Sequence, residues 1–206
     1  MAQHAFFFNG ERCTGCRTCQ LACADYNDLD SDHWYRKVYE FGDGSWQQDG
    51  DGCWTTDTFT YHVTVACNHC DDPACVKVCP TGAMHKEQDT GFVRVDSSRC
   101  IGCGYCAMAC PYGAPTVDRQ KGHSVKCDGC ADRVALGLKP ICVEACPLHA
   151  LDFGAVEEIS ALGGRADFAP LPSATLTSPN LFAVEPANAQ PSDGYAGSVK
   201  NLAEVM

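Results

Sequence analysis

The stretch Cys100–Pro111 reads CIGCGYCAMACP, four cysteines at the spacing C-x2-C-x2-C-x3-C followed directly by proline. Three further groups of four cysteines follow related spacings, so sixteen of the seventeen cysteines fall into four consecutive groups. The first is Cys13, Cys16, Cys19 and Cys23, and the second is Cys67, Cys70, Cys75 and Cys79. The third is Cys100, Cys103, Cys106 and Cys110, and the fourth is Cys127, Cys130, Cys142 and Cys146.

This spacing is a ligand pattern. The run C-x2-C-x2-C-x3-C-P of bacterial ferredoxins binds cubane [4Fe–4S] clusters, and its fourth cysteine ligates the cluster of a partner run. Three closely spaced thiolates in a tight loop can hold three corners of a cubane, while the fourth begins a helical turn and is free for a second cluster. Proline then ends the helix because it cannot continue the backbone hydrogen bonds. The four groups therefore predict four [4Fe–4S] clusters and a path for electrons.

The groups differ in ways that change loop length and keep four ligands. Groups two, three and four are followed by proline, whereas group one is followed by Ala24, which predicts a longer helix reaching Tyr26. Four residues separate Cys70 from Cys75, and eleven separate Cys130 from Cys142.

Two other uses of cysteine fit less well. A disulfide scaffold suits short secreted chains with an even cysteine count, but this chain has 206 residues and seventeen cysteines. Structural zinc uses two cysteine pairs and a spacer, and needs neither the third cysteine nor the following proline. Iron–sulfur clusters are therefore favoured over both.

Composition excludes some classes of function. The formal net charge of −11 and the lack of a Lys/Arg cluster argue against nucleic-acid binding. No apolar run has the length of a membrane span, and residues 1–9 contain no apolar signal segment, so we expect no export signal of the chain's own. In a chain this small, bound clusters would supply stability that packing alone does not.

An internal repeat organises the chain. Cys67 and Cys100 are 33 positions apart, as are Cys70 and Cys103, which predicts tandem copies of a strand, cluster loop, short helix and proline. The predicted fold is α+β and loop-rich, with tandem ferredoxin-like modules related by a pseudo-two-fold repeat in residues 1–159. Residues 30–60 read as an insertion, and the Ala-, Pro- and Ser-rich residues 160–206 as an extended tail that packs on a partner or is disordered alone.

The local patterns also predict individual elements. Strands are predicted before the cysteine groups at Ala5–Phe8, Tyr61–Val65, Gly91–Val95 and Ser124–Lys126. Helices are predicted at Thr18–Tyr26, Pro73–Val78, Tyr105–Ala109 and Asp128–Leu136. Returning strands are predicted at Ala83–His85, Thr116–Val117 and Ala150–Phe153.

The motifs carry a specific resemblance. They are RCTGCRTCQLAC at Arg12–Cys23, CNHCDDPACVKVCPTGAMHK at Cys67–Lys86, CIGCGYCAMACPYGAP at Cys100–Pro115, KCDGC at Lys126–Cys130, KPICVEACP at Lys139–Pro147 and APLPSATLTSPN at Ala169–Asn180. The chain resembles the iron–sulfur subunits of the dimethyl sulfoxide reductase group, which are four-cluster, ferredoxin-like partners of molybdopterin oxidoreductases. The resemblance covers nearly the whole chain.

The resemblance implies that groups one and four share two clusters and that groups two and three share the other two. Cluster 1 would be held by Cys13, Cys16, Cys19 and Cys146, and cluster 2 by Cys23, Cys127, Cys130 and Cys142. Cluster 3 would be held by Cys67, Cys70, Cys75 and Cys110, and cluster 4 by Cys79, Cys100, Cys103 and Cys106. Nitrate reductase-like relatives place tryptophan where this chain has Cys103, so the cysteine predicts a fourth cubane.

The resemblance also implies partners. Cluster 1 would lie nearest a molybdopterin (molybdenum or tungsten) catalytic subunit, and cluster 4 nearest a quinol-oxidising membrane anchor subunit. The complex would lie peripherally on the cytoplasmic membrane, at the periplasmic face through a twin-arginine-exported partner, with the cytoplasmic face left open. The alternative is a freestanding polyferredoxin that shuttles electrons between soluble oxidoreductases. No nucleic acid and no small-molecule substrate of its own are expected.

The chain itself is predicted to be non-catalytic. Each cluster can have four cysteine ligands, which leaves no open iron for a hydratase, and the C-x3-C-x2-C motif of radical enzymes is lacking. Cys53 is unassigned and reads as an ordinary residue of the insertion. His69 and His149 are candidates for hydrogen bonds near the clusters. Lys126, Arg12 and Arg99 each precede a cysteine group and are candidates for raising a cluster's potential.

Overall fold

The computed structural model describes residues 3–205, and its largest sheet has four strands. Their order is β10 (Leu151–Ala155), β1 (His4–Asn9), β12 (Leu181–Val184) and β11 (Gly164–Arg165). The first strand pairs antiparallel with β10 and parallel with β12. Strands β1 and β12, which are far apart in the sequence, are therefore neighbours in one sheet.

Side chains of β1 alternate between two apolar layers. Phe6 and Phe8 are buried in the main core, whereas Ala5 packs with Ile159 and Phe182 on the opposite face. This alternation follows from the two-residue period of a strand. It explains why an uninterrupted Phe-rich segment forms a central strand covered on both faces.

Five short helices carry or adjoin the cysteine groups. They are α1 (Thr18–Tyr26), α2 (Ala74–Lys77), α3 (Tyr105–Ala109), α4 (Ala131–Ala135) and α5 (Ile141–Glu144). The first and third have the predicted bounds, and the second and fourth are shorter than predicted. Among these helices, α1 packs against α5 and α2 against α3. None of the helices within residues 3–205 is both long enough and apolar enough to span a lipid bilayer.

Two small hairpins follow the middle cysteine groups. The first pairs β6 (Met84–Lys86) with β7 (Val93–Val95), and the second pairs β8 (Thr116–Asp118) with β9 (His123–Val125). These strands agree with the predicted strands to within one or two residues at their ends. Met84 and Val95 of the first hairpin and Ser124 of the second line a cavity together with four cysteines.

The predicted insertion is an ordered antiparallel ribbon. Strand β2 (Lys37–Asp43) pairs with β5 (Phe59–Val65) along its full length. Beyond it, β3 (Trp46–Gln48) and β4 (Trp54–Thr56) form an exposed hairpin. Strand β5 was predicted in part, and β2 was not, because its buried residues do not alternate strictly.

Residues 160–205 differ most from the prediction that residues 160–206 form an extended or disordered tail. They contribute β11, β12 and the short β13 (Ser198–Val199), which pairs with β2, so within residues 160–205 the segment packs on its own chain. Phe168, Leu171 and Leu181 are buried in the main core. The hydrophobic contacts of these side chains hold the segment in place. Contact of the same segment with a partner stays a prediction.

Candidate iron–sulfur cluster sites

The first site joins the loop after β1 to the end of α5. Four cysteines line one cavity: Cys13, Cys16, Cys19 and Cys146. The backbone N–H of Ala150 donates to Cys146 Sγ at 3.3 Å. The hydroxyls of Thr18 and Thr64 lie 3.4 Å from Cys16 Sγ and 3.5 Å from Cys19 Sγ. Hydrogen bonds to thiolate sulfurs of this kind adjust the potential of an iron–sulfur cluster.

The second site lies between α1, α4 and α5. A separate cavity is lined by Cys23, Cys127, Cys130 and Cys142. Asn27 Nδ2 donates to Cys23 Sγ at 3.6 Å, and Gly129 N–H donates to Cys127 Sγ at 3.4 Å. Gly129 has a φ of +79°, and a Cβ there would stand 2.7 Å from Phe92 Cε1. Glycine therefore allows both the turn and the close approach of the loop to the aromatic ring.

The third site follows β5. Its cysteines interact electrostatically with one another and are Cys67, Cys70, Cys75 and Cys110. The Thr177 hydroxyl, from the C-terminal segment, lies beside the Cys70 thiol and the Tyr112 phenol, although neither contact meets full hydrogen-bond geometry. The segment expected to be a tail thus supplies a polar group at a cysteine.

The fourth site lies between the two small hairpins. Its cavity is lined by Cys79, Cys100, Cys103 and Cys106. Backbone N–H groups of Met84 and Ser124 donate to Cys79 Sγ and Cys100 Sγ, each at 3.3 Å. Ser124 Oγ is also 3.3 Å from Cys106 Sγ.

The third and fourth cysteines of each group, always four positions apart, belong to different sites. Cys19 and Cys23 both lie on α1, one turn apart, whereas Cys79, Cys110 and Cys146 each follow the end of the helix that carries the other member of the pair. Cys19 lines the first cavity and Cys23 lines the second. Cys142 lines the second cavity and Cys146 lines the first. The pairs Cys75–Cys79 and Cys106–Cys110 do the same for the third and fourth sites.

Cysteines of neighbouring sites share buried clusters of side chains, from the first site to the fourth. Cys19 and Cys142 share the main core, Cys127 and Cys67 share a second buried cluster, and Cys75 and Cys106 share a third. Three cysteines within residues 3–205 are exposed. Cys16 belongs to the first site, Cys103 belongs to the fourth, and Cys53 belongs to none of the sites. The arrangement is therefore a row with two solvent-facing ends.

Burial disfavours free thiolates in this row. It raises the pKa of Cys13, Cys70 and Cys130 to about 11. It raises the pKa of Cys23 and Cys75 to about 12. Ligation to a cation would reverse this effect, since metal ligands are held as thiolates.

Five buried hydrogen-bond donors without a protein partner bear on whether the sites fit iron–sulfur clusters. They have no hydrogen-bond partner in the protein and are Arg36 Nε, Asn68 Nδ2, His69 Nε2, Tyr112 Oη and Thr177 Oγ1. Buried donors are nearly always satisfied in native proteins. All five belong to residues that line or adjoin the second and third sites. Sulfides and thiolates of bound clusters would accept these hydrogen bonds, so the residues present fit iron–sulfur clusters.

The predicted flanking residues have different surroundings. His69 is buried and its Nδ1 accepts from Val93 N–H at 2.9 Å, while burial and Lys126 hold the pKa of its ring well below the usual range. Lys126 is buried and donates to the carbonyls of Val93 and Cys127. His149 is exposed, and so are Arg12 and Arg99. Of these five, only His69 and Lys126 are buried beside a site.

Cys53 lies away from the four sites in the exposed β3–β4 turn, where its N–H donates to Asp49 Oδ1 at 2.8 Å. Within residues 3–205, no three His, Cys, Asp or Glu side chains are placed to hold a single metal ion.

Sequence reasoning missed Thr64, Ser124 and Thr177, whose hydroxyls contact or adjoin cysteines, and the buried Arg36. These residues lie outside the cysteine motifs, so spacing gave no signal for them. Only their placement in the fold, on β5, β9 and the C-terminal segment, reveals them.

Comparison with known proteins agrees with this geometry. Residues 58–156 match the 4Fe-4S dicluster domain family, and residues 10–26 match a 4Fe-4S binding domain. The chain is 53% identical over 206 residues to the B subunit of the anaerobic dimethyl sulfoxide reductase of Haemophilus influenzae, covering 100% of both proteins. It is 54% identical over 204 residues to the corresponding subunit of Escherichia coli K12, 98% of each protein. The chain belongs to the iron–sulfur subunits of the dimethyl sulfoxide reductase group.

More distant relatives of this family confirm the functional class. The thiosulfate reductase electron transfer subunit PhsB of Salmonella typhi is 39% identical over 157 residues, 76% of this chain and 78% of that one. The family assignment confirms the resemblance found in the sequence. It also confirms that the chain is a non-catalytic electron-transfer subunit carrying 4Fe-4S clusters in an α+β, ferredoxin-type fold.

Proposed function

We propose that this subunit relays electrons through four [4Fe–4S] clusters between a quinol-oxidising membrane subunit and a molybdopterin catalytic subunit. The catalytic subunit would belong to an anaerobic respiratory enzyme like dimethyl sulfoxide reductase. The main support is the row of four cysteine sites with exposed cysteines only at its ends. A row open at both ends suits transfer between two partners, because electrons can enter at one exposed site and leave at the other.

The assignment of sixteen cysteines to four clusters rests on their grouping. Three cavities each contain four cysteines, and the remaining four cysteines interact electrostatically. Each set combines the first three cysteines of one group with the fourth cysteine of its partner group. We propose these sets as the ligands of clusters 1 to 4, in the order first to fourth.

The proposed fold is a pair of ferredoxin-like modules. The packing of α1 on α5 supports one module, and the packing of α2 on α3 supports the other. In each pair of helices, the cysteines four positions apart exchange between two sites. This exchange supports the proposed pseudo-two-fold repeat.

Exposed apolar residues favour a fixed partner at the fourth site over a freely diffusing polyferredoxin. Ile101 and Tyr105 line the fourth cavity with Cys103, Met108 follows on α3, and Ile101 and Met108 are 65% and 75% exposed. Contiguous apolar surface on a soluble protein marks interaction sites. We propose that this face meets the membrane anchor subunit, and that the exposed Leu148 near the first site meets the catalytic subunit.

The first test is anaerobic purification from the native cell through an affinity tag on this subunit. Iron, molybdenum, tungsten and zinc are measured, and co-purifying chains are identified. We expect about 16 iron atoms per chain, four in each cluster, with molybdenum or tungsten and a large partner. Iron without any partner would favour the polyferredoxin, and zinc with little iron would refute the electron relay.

A matched pair of variants tests the docking face. Met108→Glu places a charge on the proposed face, whereas Leu136→Glu places one on the loop after α4, where Leu136 is 78% exposed. We expect Met108→Glu to reduce recovery of the membrane subunit while iron per chain stays constant. Equal losses in the two variants would contradict the assignment of this face.

A further inference from the structure

Arg36 is a buried cation between the first two sites. It directly precedes β2, is 2% exposed, and is among the largest fully buried side chains of residues 3–205. Its guanidinium lies over the Phe6 ring, 5.1 Å from the ring centroid. Arginine keeps its charge even when buried, and its flat guanidinium stacks on aromatic rings. The side chain is therefore fixed as a positive charge inside the protein.

Polar contacts link Arg36 to both sites. Its Nη1 donates to Thr64 Oγ1 at 3.1 Å, and that oxygen is 3.5 Å from Cys19 Sγ of the first site. Arg36 also lines the cavity of the second site beside Cys23 and Cys142. Its Nε is buried and has no hydrogen-bond partner in the protein. One donor thus remains available to the second site.

Among residues 3–205, no carboxylate lies within 4 Å of the Arg36 guanidinium to balance its charge. A buried charge without a partner is strongly unfavourable. The groups of the two sites that lie around Arg36 are cysteine sulfurs: Cys19 Sγ is reached through Thr64 Oγ1, and Cys23 and Cys142 line the cavity that Arg36 also lines. These sulfurs would carry negative charge as cluster ligands.

Lys126 is also buried and differs from Arg36 in its hydrogen-bond partners. Its ammonium group donates to the backbone carbonyls of Val93 and Cys127, so its nearest partners join two segments of the backbone. Arg36 has a side-chain hydroxyl, an aromatic face and an unpartnered donor. Of these two buried cations, Arg36 is the one directed at cysteine sites rather than at the backbone.

We propose that Arg36 is the shared counter-ion of clusters 1 and 2, a positioning residue that raises the midpoint potential of both. This inference rests on the proposed four-cluster function. Reduction adds one electron to a cluster, and a fixed positive charge nearby stabilises the added negative charge. Because the charge lies between two sites, it favours the reduced state of both clusters.

The test compares Arg36→Met, which removes the charge and leaves no unpaired donor, with Arg36→Lys, which keeps a positive charge. Lys200→Met removes the same charge from an exposed position and serves as the control. Each variant is purified anaerobically as the complete complex, its iron is counted, and the reduced clusters are followed by EPR during a potentiometric titration. We expect Arg36→Met to lower the two midpoint potentials of clusters 1 and 2 more than those of clusters 3 and 4. Arg36→Lys and Lys200→Met should stay close to the unsubstituted complex.

The outcomes separate this inference from the proposed function. An unsubstituted complex without four clusters would refute the proposed function itself. Four clusters in the unsubstituted complex and unchanged potentials in Arg36→Met would overturn the role of Arg36 alone. If Arg36→Met loses iron, Arg36→Lys decides: retained clusters at near-normal potentials support a charge effect, and equal loss overturns it in favour of packing.

Discussion

Tyr61→Phe tests how the C-terminal segment is attached to its own chain. The Tyr61 hydroxyl donates to the carbonyl of Ala169 at 2.8 Å and accepts from Gln190 N–H at 3.2 Å. Removing the hydroxyl leaves both groups without this partner. Ala169 is 0% exposed, so water cannot replace the lost donor there, whereas Gln190 is only partly buried.

The Ala169 carbonyl therefore sets most of the cost. An unsatisfied buried acceptor costs about 1–3 kcal/mol, and we take about 2 kcal/mol for opening the segment. Each 1.4 kcal/mol is a tenfold change in an equilibrium constant, so the open fraction should rise about 30-fold. Cleavage by trypsin after Arg165 reports this opening, because the next residue, Ala166, is buried.

The assay measures the rate of cleavage at Arg165 in the folded, cluster-containing protein at low protease concentration, where it follows the open population. Tyr39→Phe is the matched control: it removes a phenol oxygen for which no hydrogen bond is observed within residues 3–205. We expect about 30-fold faster cleavage in Tyr61→Phe and little change in Tyr39→Phe. An unchanged rate in Tyr61→Phe, or equal acceleration in both, would show that this hydroxyl does not hold the segment.

Three further predictions concern the sites. Cys103→Ser should lower the iron content by up to about four atoms per chain. Its control, Cys53→Ser in the β3–β4 turn, should leave the iron content unchanged. Equal iron in the two variants would contradict a cluster at the fourth site. Gly129→Ala should lose iron and thermal stability relative to its control, Gly137→Ala. The two positions have φ of +79° and +76°, but only at Gly129 does the new Cβ stand 2.7 Å from an aromatic ring. Similar melting curves for the two variants would show that the loop can move away from the ring at little cost. Removing iron with a chelator and an oxidant should reduce the far-ultraviolet circular dichroism signal. It should also expose the peptide bond after the buried Lys126 to trypsin, since metal binding and folding are coupled in such sites. An unaltered spectrum after complete removal of iron would contradict that coupling.

The helices near the cysteines could be predicted because their cause is local. A C-x3-C pair spans about one helical turn and directs its two sulfurs to neighbouring sites. Pro111 follows Cys110 and limits α3, whereas group one has no such proline and α1 continues to Tyr26, as predicted. The same local signals located β1 and the strands of the two small hairpins.

The C-terminal segment could not be predicted in the same way. The strand Leu181–Val184 has four apolar residues, too few for a clear period, and its partner β1 lies at the opposite end of the sequence. Pairing over such a separation depends on the complete fold. Its Pro- and Ala-rich surroundings favoured an irregular tail, and tertiary packing overrode that preference.

Arg36 shows a second limit of sequence reasoning. Arginine is usually exposed, so an arginine beside two aromatic residues in an insertion reads as a surface charge. Its burial becomes evident only when Phe6, Thr64 and the second cavity are placed around it. The cysteine motifs located the sites, but the groups that modify them came from strands with no motif.

The division of each C-x3-C pair between two sites limits how such a chain can lose a cluster. Every such pair belongs to two neighbouring sites, so deleting the segment that carries it would remove a ligand from both. The four sites are therefore not separate modules that can be added or removed one at a time. A lineage could drop one cluster while keeping the others only through point substitution at single ligands, and the length of the chain would stay nearly constant as its number of clusters changed.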